Sequence, residues 1–268
     1  MITSIQNPKI QSIRTLLEKS RARQDTHSYI IEGVRLVEEA WAAGCKVELV
    51  LYTSTLSKRG QELVEKFAAS NSIVEQVTPQ VMDSLSKTEK SQGLLAVVPI
   101  NTPSLPSLLD FIVVADGLRD PGNLGTLIRT CVAAGVQGLI LAPGTVDAYS
   151  PKVVRSAMGA HFHLPILSLD WPKIYSLLLD RSNFLHIYLA DKDQGQSLWE
   201  VDLRQPLALL IGGEAEGASS SARNLAESII RIPMPGGSES LNAAIAAGIL
   251  LFEVIRQRSP VNQKPSPD

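Results

Sequence analysis

The sequence predicts an α/β protein of two domains, in which short buried strands alternate with helices. Three observations carry this. Runs apolar on both faces recur between segments of helical apolar spacing, the pattern of an open parallel sheet covered on both sides. The 268 residues are 44% hydrophobic and 19% charged, enough apolar material for two cores and unlike a disordered chain. Residues 99–107, Pro99-Ile100-Asn101-Thr102-Pro103-Ser104-Leu105-Pro106-Ser107, place three prolines in nine positions and split the alternation into two series. The expected division is therefore a first domain over 1–98, a linker over 99–107, a second domain over 108–258, and a disordered tail over 259–268.

In the first series, Asn7-Pro8 opens a helix whose Ile10, Ile13, Leu16 and Leu17 share a face. A short strand over 29–31 leads to a helix over 34–43, closed by Gly44. Strands over 47–52, 73–77 and 93–98 enclose a helix over 61–69 and a short one opened by Pro79. In the second series, strands are expected over 111–115, 138–141, 184–190, 207–211 and 229–232. Helices are expected over 124–134, 152–158, 171–179, 221–227 and 241–256.

The net charge of −2 excludes a polybasic coat that binds nucleic acid by charge alone. Near the N-terminus, however, Lys9, Arg14, Lys19, Arg21 and Arg23 face only Glu18 and Asp25, a candidate phosphate-contacting surface. The longest uncharged apolar run, 243–252, is ten residues, against roughly 18–20 for a membrane span. No basic segment followed by an apolar stretch opens the chain, so a cytoplasmic protein without membrane contact is expected. Cys45 and Cys131 read as reduced core thiols. His161-Phe162-His163 would put two imidazoles on one strand face, but no cysteine or carboxylate stands at a ligand spacing, so no metal is expected.

Ligands of parallel α/β sheets bind beyond the carboxyl ends of the strands, and three strand ends here carry unusual sequence. The first runs Asp116-Gly117-Leu118-Arg119-Asp120-Pro121-Gly122-Asn123-Leu124-Gly125, with Asn123 where a helix N-cap would stand and Arg129 nearly two turns along. It contains no Gly-x-Gly-x-x-Gly dinucleotide fingerprint. The second, Ile211-Gly212-Gly213-Glu214-Ala215-Glu216-Gly217-Ala218, has the glycine spacing of a phosphate loop. Ala218 stands where the phosphate-binding lysine belongs, and two glutamates would repel a polyphosphate, which excludes a nucleotide triphosphatase. The third, Ile232-Pro233-Met234-Pro235-Gly236-Gly237-Ser238-Glu239-Ser240-Leu241-Asn242, feeds the last helix. Ser238 or Ser240 is placed to cap it, leaving Asn242, a poor helix former, in need of a role.

Together the three segments resemble the SpoU (TrmH-type) RNA ribose 2′-O-methyltransferases of the SPOUT superfamily, over residues 111–258 with all three motifs in order. Asn7-Pro8-Lys9 and Ile31-Glu32-Gly33-Val34-Arg35 carry a weaker resemblance to that family's N-terminal substrate-binding domain. The resemblance implies a ribosomal-protein-like α/β RNA-binding domain followed by a parallel-sheet domain with a deep trefoil knot. It implies S-adenosylmethionine held by main-chain groups at Gly212, Ile232, Met234 and Leu241, and a homodimer with shared active sites. The matching catalytic positions are Asn123, Arg129, Glu214, Ser240 and Asn242. The implied substrate is RNA, ribosomal by analogy with the N-terminal domain; a tRNA ribose methyltransferase or an inactive RNA-binding relative are the alternatives. A guanidinium is a poor proton acceptor, so Arg129 is expected to bind phosphate, with Glu214 holding it in place. Two departures from the family pattern, Ala215 for the commoner Gly and Asn242-Ala243-Ala244-Ile245 for Asn-Val-Ser-Val, bear on packing more than on chemistry.

Overall fold

The computed structural model describes residues 1–70, 72–86, 91–100, 103–180, 184–214, 216–237 and 239–259. Asn101 and Thr102 of the expected linker, the motif residues Ala215 and Ser238, and the expected tail beyond Ser259 lie outside the described residues. The elements in chain order begin with α1 (Pro8–Glu18), α2 (Ser20–Thr26), β1 (Ser28–Glu32), α3 (Val34–Ala42), β2 (Leu49–Tyr52), α4 (Lys58–Ala68), β3 (Ile73–Gln76), α5 (Pro79–Leu85) and β4 (Leu94–Pro99). They continue with β5 (Phe111–Asp116), α6 (Pro121–Ala133), β6 (Gly138–Leu141), α7 (Pro151–Ala157), β7 (Ile166–Ser168) and α8 (Trp171–Leu178). The last are β8 (His186–Ala190), β9 (Gln196–Ser197), β10 (Leu207–Gly212), α9 (Ser220–Leu225), β11 (Ser228–Arg231) and α10 (Ala243–Arg258). Two compact units result, Met1–Asn101 with Asp147–His163, and Thr102–Val146 with Leu164–Asp268.

The first unit is a four-stranded sheet in the order β1-β4-β2-β3, with β4 antiparallel to both neighbours and β2 parallel to β3. Asn7 caps α1 by accepting from the Lys9 amide at 2.9 Å, and Pro8 fills the first helical position. Ser57 caps α4 by accepting from the Gly60 amide, which starts that helix three residues before the apolar spacing alone predicts. On one face of the sheet, Ile10, Ile13, Val81, Met82 and Leu85 pack over Ile30, Leu51, Leu95 and Val97. On the other, Val37, Ala40, Leu63 and Phe67 pack over Ile31, Val50, Ala96 and Val98, joined by Val154 of α7. Both faces being covered, the central strands β2 and β4 are apolar along their length, while the edge strand β3 carries Glu75 and Gln76.

Two sequence expectations change here. Arg23 does not belong to a basic surface: it is buried and donates to Asp147 (2.6 and 2.8 Å) and to the Leu16 carbonyl. Lys9 is ion-paired with Glu75 and Arg21 lies 3.6 Å from Asp25, while Arg14 and Lys19 have no carboxylate at ion-pair distance among the described residues. His161-Phe162-His163 is a 3₁₀ turn and not a strand, because Gly159 at φ +93° breaks the chain direction ahead of it. His161 is buried beside Tyr29 and Tyr149, while His163 is exposed. No group of three or more His, Cys, Asp or Glu able to hold a metal lies among the described residues. Cys45 and Cys131 are free, and burial raises both thiols.

The second unit is a seven-stranded parallel sheet ordered β7-β6-β5-β10-β8-β11-β9. Ile174, Leu178, Ala222 and Leu225 of α8 and α9 cover one face over Ile112, Val114, Ile140, Ile187, Leu189, Ala208 and Leu210. Helix α6 packs against α10, and α10 against β10. Strand β10 enters between β5 and β8, so the order reverses at β5, and the carboxyl ends of β5, β8, β10 and β11 meet there. Helix α2 and strands β7 and β9 carried no sequence signal. The first has no apolar periodicity, and the strands are three and two residues long. No described helix is long and apolar enough to cross a membrane.

His161 sets a pH response for the first unit. Its Nε2–H donates to the Ala148 carbonyl at 2.7 Å, its Nδ1 has no partner, and burial pulls the imidazole down to about 4 from 6.5. The unfolded chain binds the extra proton first, so this contribution is whole above pH 6.5 and is lost as pH falls toward 4. Equilibrium unfolding should show a loss of about 2 kcal/mol between pH 7.5 and 5. The loss should shrink in His161→Gln; an unchanged slope in that variant would assign the response elsewhere.

Candidate active site

At the end of β5, Asp116 is buried and accepts from the Ser219 amide at 2.6 Å. The next residue, Gly117, donates its amide to Thr145 Oγ1 at 3.0 Å, and that hydroxyl donates to the Ala115 carbonyl at 2.9 Å. Helix α6 is capped by Asp120, which accepts from the Asn123 amide at 2.8 Å, with Pro121 at the first helical position. Asn123 is therefore not the cap, as its place in the sequence predicted. It stands one turn inside the helix, and its side chain is free to reach across to the second segment.

That segment is a loop that closes on itself: the Gly217 amide donates to the Gly213 carbonyl at 3.2 Å, and the two glycines form an isolated antiparallel bridge. Glu214 and Glu216 lie within the loop, both exposed. Neither Gly212 nor Gly213 has room for a side chain. A Cβ at Gly212 would come within 2.5 Å of the Ala218 nitrogen and 2.7 Å of the Gly217 carbonyl carbon, while one at Gly213 would strike the Gly117 carbonyl. The two strand-end loops thus touch through their main chains.

The third segment supplies Asn242, which caps α10 itself, accepting from the amides of Ala244 (2.9 Å) and Ile245 (3.3 Å). The sequence assigned that role to Ser238 or Ser240. With the cap at Asn242, the helix begins at Ala243 and the asparagine has its role. Its Nδ2 donates to Asn123 Oδ1 at 2.9 Å, and Asn123 Nδ2 donates to Glu214 Oε1 at 2.6 Å. Three residues from three separate strand ends form one hydrogen-bonded row.

Beside the row lies a cavity of about 550 Å³, within the range of a small-molecule site. Gly212, Ile232, Met234 and Leu241 line it, as do Glu214, Ser240 and Asn242. Asn123 reaches it through its two bonded partners. Arg129 does not line it: it is exposed on α6, and no bond joins it to Glu214 among the described residues. Glu214 holds Asn123 in place of the expected arginine. Asp191 and Arg223, which no sequence motif marks, also line the cavity. Asp191 follows the end of β8, a strand-end position of the kind that marked the other three segments. Burial works to raise its carboxyl, but the amides of Asp193 and Gln194 and the Arg223 guanidinium at 2.9 Å hold it below its usual range.

These features define a class: an α/β protein with a cavity of small-molecule size at the reversal point of a parallel sheet, beside an oriented carboxylate. The chain belongs to the SpoU rRNA Methylase family, whose model matches residues 110–252; residues 7–96 match an MRM3-like substrate binding domain. It is 31% identical to the 23S rRNA (guanosine(2553)-2′-O)-methyltransferase RlmP of Bacillus subtilis, over 94% of this chain and 98% of the relative. It is 33% identical to a 23S rRNA (uridine(2479)-2′-O)-methyltransferase of Streptomyces viridochromogenes, over 96% and 92% of the two chains. The crystal structure of the SpoU methyltransferase AviRb from the same organism, in complex with the cofactor AdoMet, is similar with a TM-score of 0.88 and 30% identity, covering 97% of this chain and 100% of that one.

The glycine packing gives a direct test. Gly212→Ala should push the loop off Ala218 and leave the sheet intact. Amide exchange at Gly217 and Ser219 should accelerate at least about tenfold, a local opening easier by roughly 1.4 kcal/mol, with β5 and β10 unchanged. Equal protection in the variant would mean the loop absorbs the methyl group.

Proposed function

We propose that this protein is an S-adenosylmethionine-dependent methyltransferase that methylates a ribose 2′-hydroxyl in ribosomal RNA, acting in the cytoplasm as a homodimer. The observation that carries the reading is the row Asn242–Asn123–Glu214 at the edge of the cavity beyond the strand ends. End-to-end similarity to enzymes named for rRNA 2′-O-methylation supports rRNA over tRNA as the substrate. The substrate-binding match over 7–96 points the same way.

The cavity suits the cofactor. Ile211, Ile230, Ile232, Leu241 and Leu250 give it an apolar wall for an adenine ring, and Glu214 supplies negative charge for a sulfonium, while Asp191 and Glu216 are ion-paired with Arg223 and Arg119. Main-chain groups at Gly212, Ile232, Met234 and Leu241 would hold the molecule. When bound, S-adenosylmethionine supplies an electrophilic methyl group. The chain's own residues must then place the ribose and relieve its hydroxyl of a proton; fixed geometry of this kind is worth roughly 7–11 kcal/mol. Arg129, charged and exposed, is suited to an RNA phosphate. Ser240 lies at the cavity beside Asn242 and is suited to orienting the ribose. The return of β10 between β5 and β8, and of β11 between β8 and β9, supports the trefoil knot that the family resemblance implies.

The dimer reading rests on α10. Ile245 and Phe252 are 56% and 50% exposed, seven positions apart on one face. An interface there should bury more than about 1,000 Å². Ile245→Asp should convert a dimer to a monomer in sedimentation runs; a wild-type chain monomeric at all concentrations would remove this part of the reading. The activity itself is tested by mapping ribose methylation, by mass spectrometry, in rRNA from cells with and without the protein. One 2′-O-methyl should disappear with the gene and return with it; an unchanged rRNA map would refute the substrate.

A further inference from the structure

The hydrogen bonds of the Asn242–Asn123–Glu214 row run in one direction, and the fold dictates which. Asn242 Oδ1 faces two donors, the main-chain N–H groups of Ala244 and Ile245 at 2.9 and 3.3 Å. An amide nitrogen in that place would oppose donor to donor, so the helix itself fixes the order of the asparagine's oxygen and nitrogen. Its Nδ2 must therefore point outward, where it donates to Asn123 Oδ1 at 2.9 Å. With its oxygen engaged, Asn123 must offer its nitrogen to Glu214, and does so at 2.6 Å. The positive end of the α10 dipole stands at the head of the row and polarises both amides toward the carboxylate. The second carboxylate oxygen of Glu214 has no hydrogen-bond partner among the described residues, and Glu214 lines the cavity.

We propose that Asn242 and Asn123 are positioning residues, a one-way amide relay from the N-terminus of α10 that presents Glu214 as the group receiving the ribose hydroxyl to be methylated. The proposal rests on the RNA ribose methyltransferase reading and adds a direction to it. A carboxylate anchored through one oxygen accepts the hydroxyl's hydrogen bond with the other and draws electron density onto the ribose oxygen. Arg129 offers no lone pair for this, since a guanidinium only donates.

The test uses full-length protein and three variants. Asn242→Asp keeps the acceptor that caps α10 and turns the far end of the side chain from donor to acceptor. Its thermal midpoint and its calorimetric affinity for S-adenosylmethionine should stay near those of the unmodified chain. The side-chain amide protons of Asn123 should lose exchange protection in ¹H–¹⁵N spectra, and kcat on rRNA from cells lacking the protein should fall roughly 10- to 100-fold with little change in KM. Asn123→Asp sets carboxylate against carboxylate and should lower the thermal midpoint. The pair Asn123→Asp with Glu214→Gln rebuilds every bond, Gln donating to Asp and Asn242 donating to its other oxygen, but moves the charge one residue up the row. It should recover stability without recovering turnover, which a structural role alone would not produce. Recovery of kcat together with stability in that pair overturns the proposal. So does an Asn242→Asp chain whose Asn123 amides and kcat stay within about twofold of the unmodified protein. Should the unmodified chain methylate no rRNA while the amides remain coupled, the substrate reading fails, and with it the hydroxyl role given to Glu214.

Discussion

The site depends on two strand-end loops meeting with no side chain between them. Gly213 lies so close to the Gly117 carbonyl that a methyl group would separate them, and Gly212 is packed as tightly on the main chain of Gly217 and Ala218. Asp116 closes the same seam from below. Its carboxylate is buried and accepts the Ser219 amide at 2.6 Å. A buried carboxylate without a donor is strongly unfavourable, so Asp116 holds the far end of the loop as firmly as the glycines hold the near end. Glu214 follows Gly213 directly, and Asn123 stands six residues after Gly117. Once the seam is closed, their side chains have little choice but to meet. The chemistry of the row is thus a consequence of backbone contact, and the small residues are as necessary to it as the polar ones.

Periodicity made most of the elements legible. β6 and the cores of α1, α3, α6 and α10 lie where apolar spacing puts them, because long amphipathic or fully apolar segments leave few alternatives. Caps were less legible, and for an identifiable reason. Asn123 and Asn242 are both good cap formers, but their neighbours are too, and residue type does not say which of several adjacent side chains faces the open amides. In α6 a signal existed: Pro121 favours the first helical position, which assigns the cap to Asp120. In α10, Ser238, Ser240 and Asn242 are equivalent by type. Arg23 shows a second limit. It reads as one of five clustered cations, but its partner, Asp147, lies 124 positions away, and no local pattern reveals a buried pair at that separation.

Glycine, apolar and polar residues meet at the cavity. Gly212, Ile232, Met234 and Leu241 differ in side chain yet line one surface. Such positions tolerate changes in neighbouring packing. Ala243 and Ala244 occupy the first turn of α10 without disturbing the cap that Asn242 provides. The polar row has no such latitude. Asn242 caps a helix and donates, Asn123 accepts and donates, and Glu214 accepts, so a substitution at either asparagine changes two bonds at once, and the three side chains of the required type stand at three distant strand ends.

The first unit is discontinuous in sequence, and the buried Arg23 explains why the intruding segment matters to it. Arg23 donates to Asp147 and to the Leu16 carbonyl from a position 4% exposed. Removing one partner of a buried ion pair costs roughly 3–5 kcal/mol, a large part of the net stability of an ordinary domain. The same segment brings Val154 onto the sheet beside Tyr29 and Ile31, and sets the tilted rings of Tyr149 and His161 against Tyr29 at centroid distances of 5.0 and 6.0 Å. No shift in composition marks residues 147–163, whose Val153, Val154 and Ala157 read like any core helix. A boundary drawn at the proline-rich stretch therefore follows the chain but not the packing. A piece ending at residue 98 carries Arg23 without its carboxylate and β1 without its cover, so the first unit as folded requires residues that the sequence places after β6.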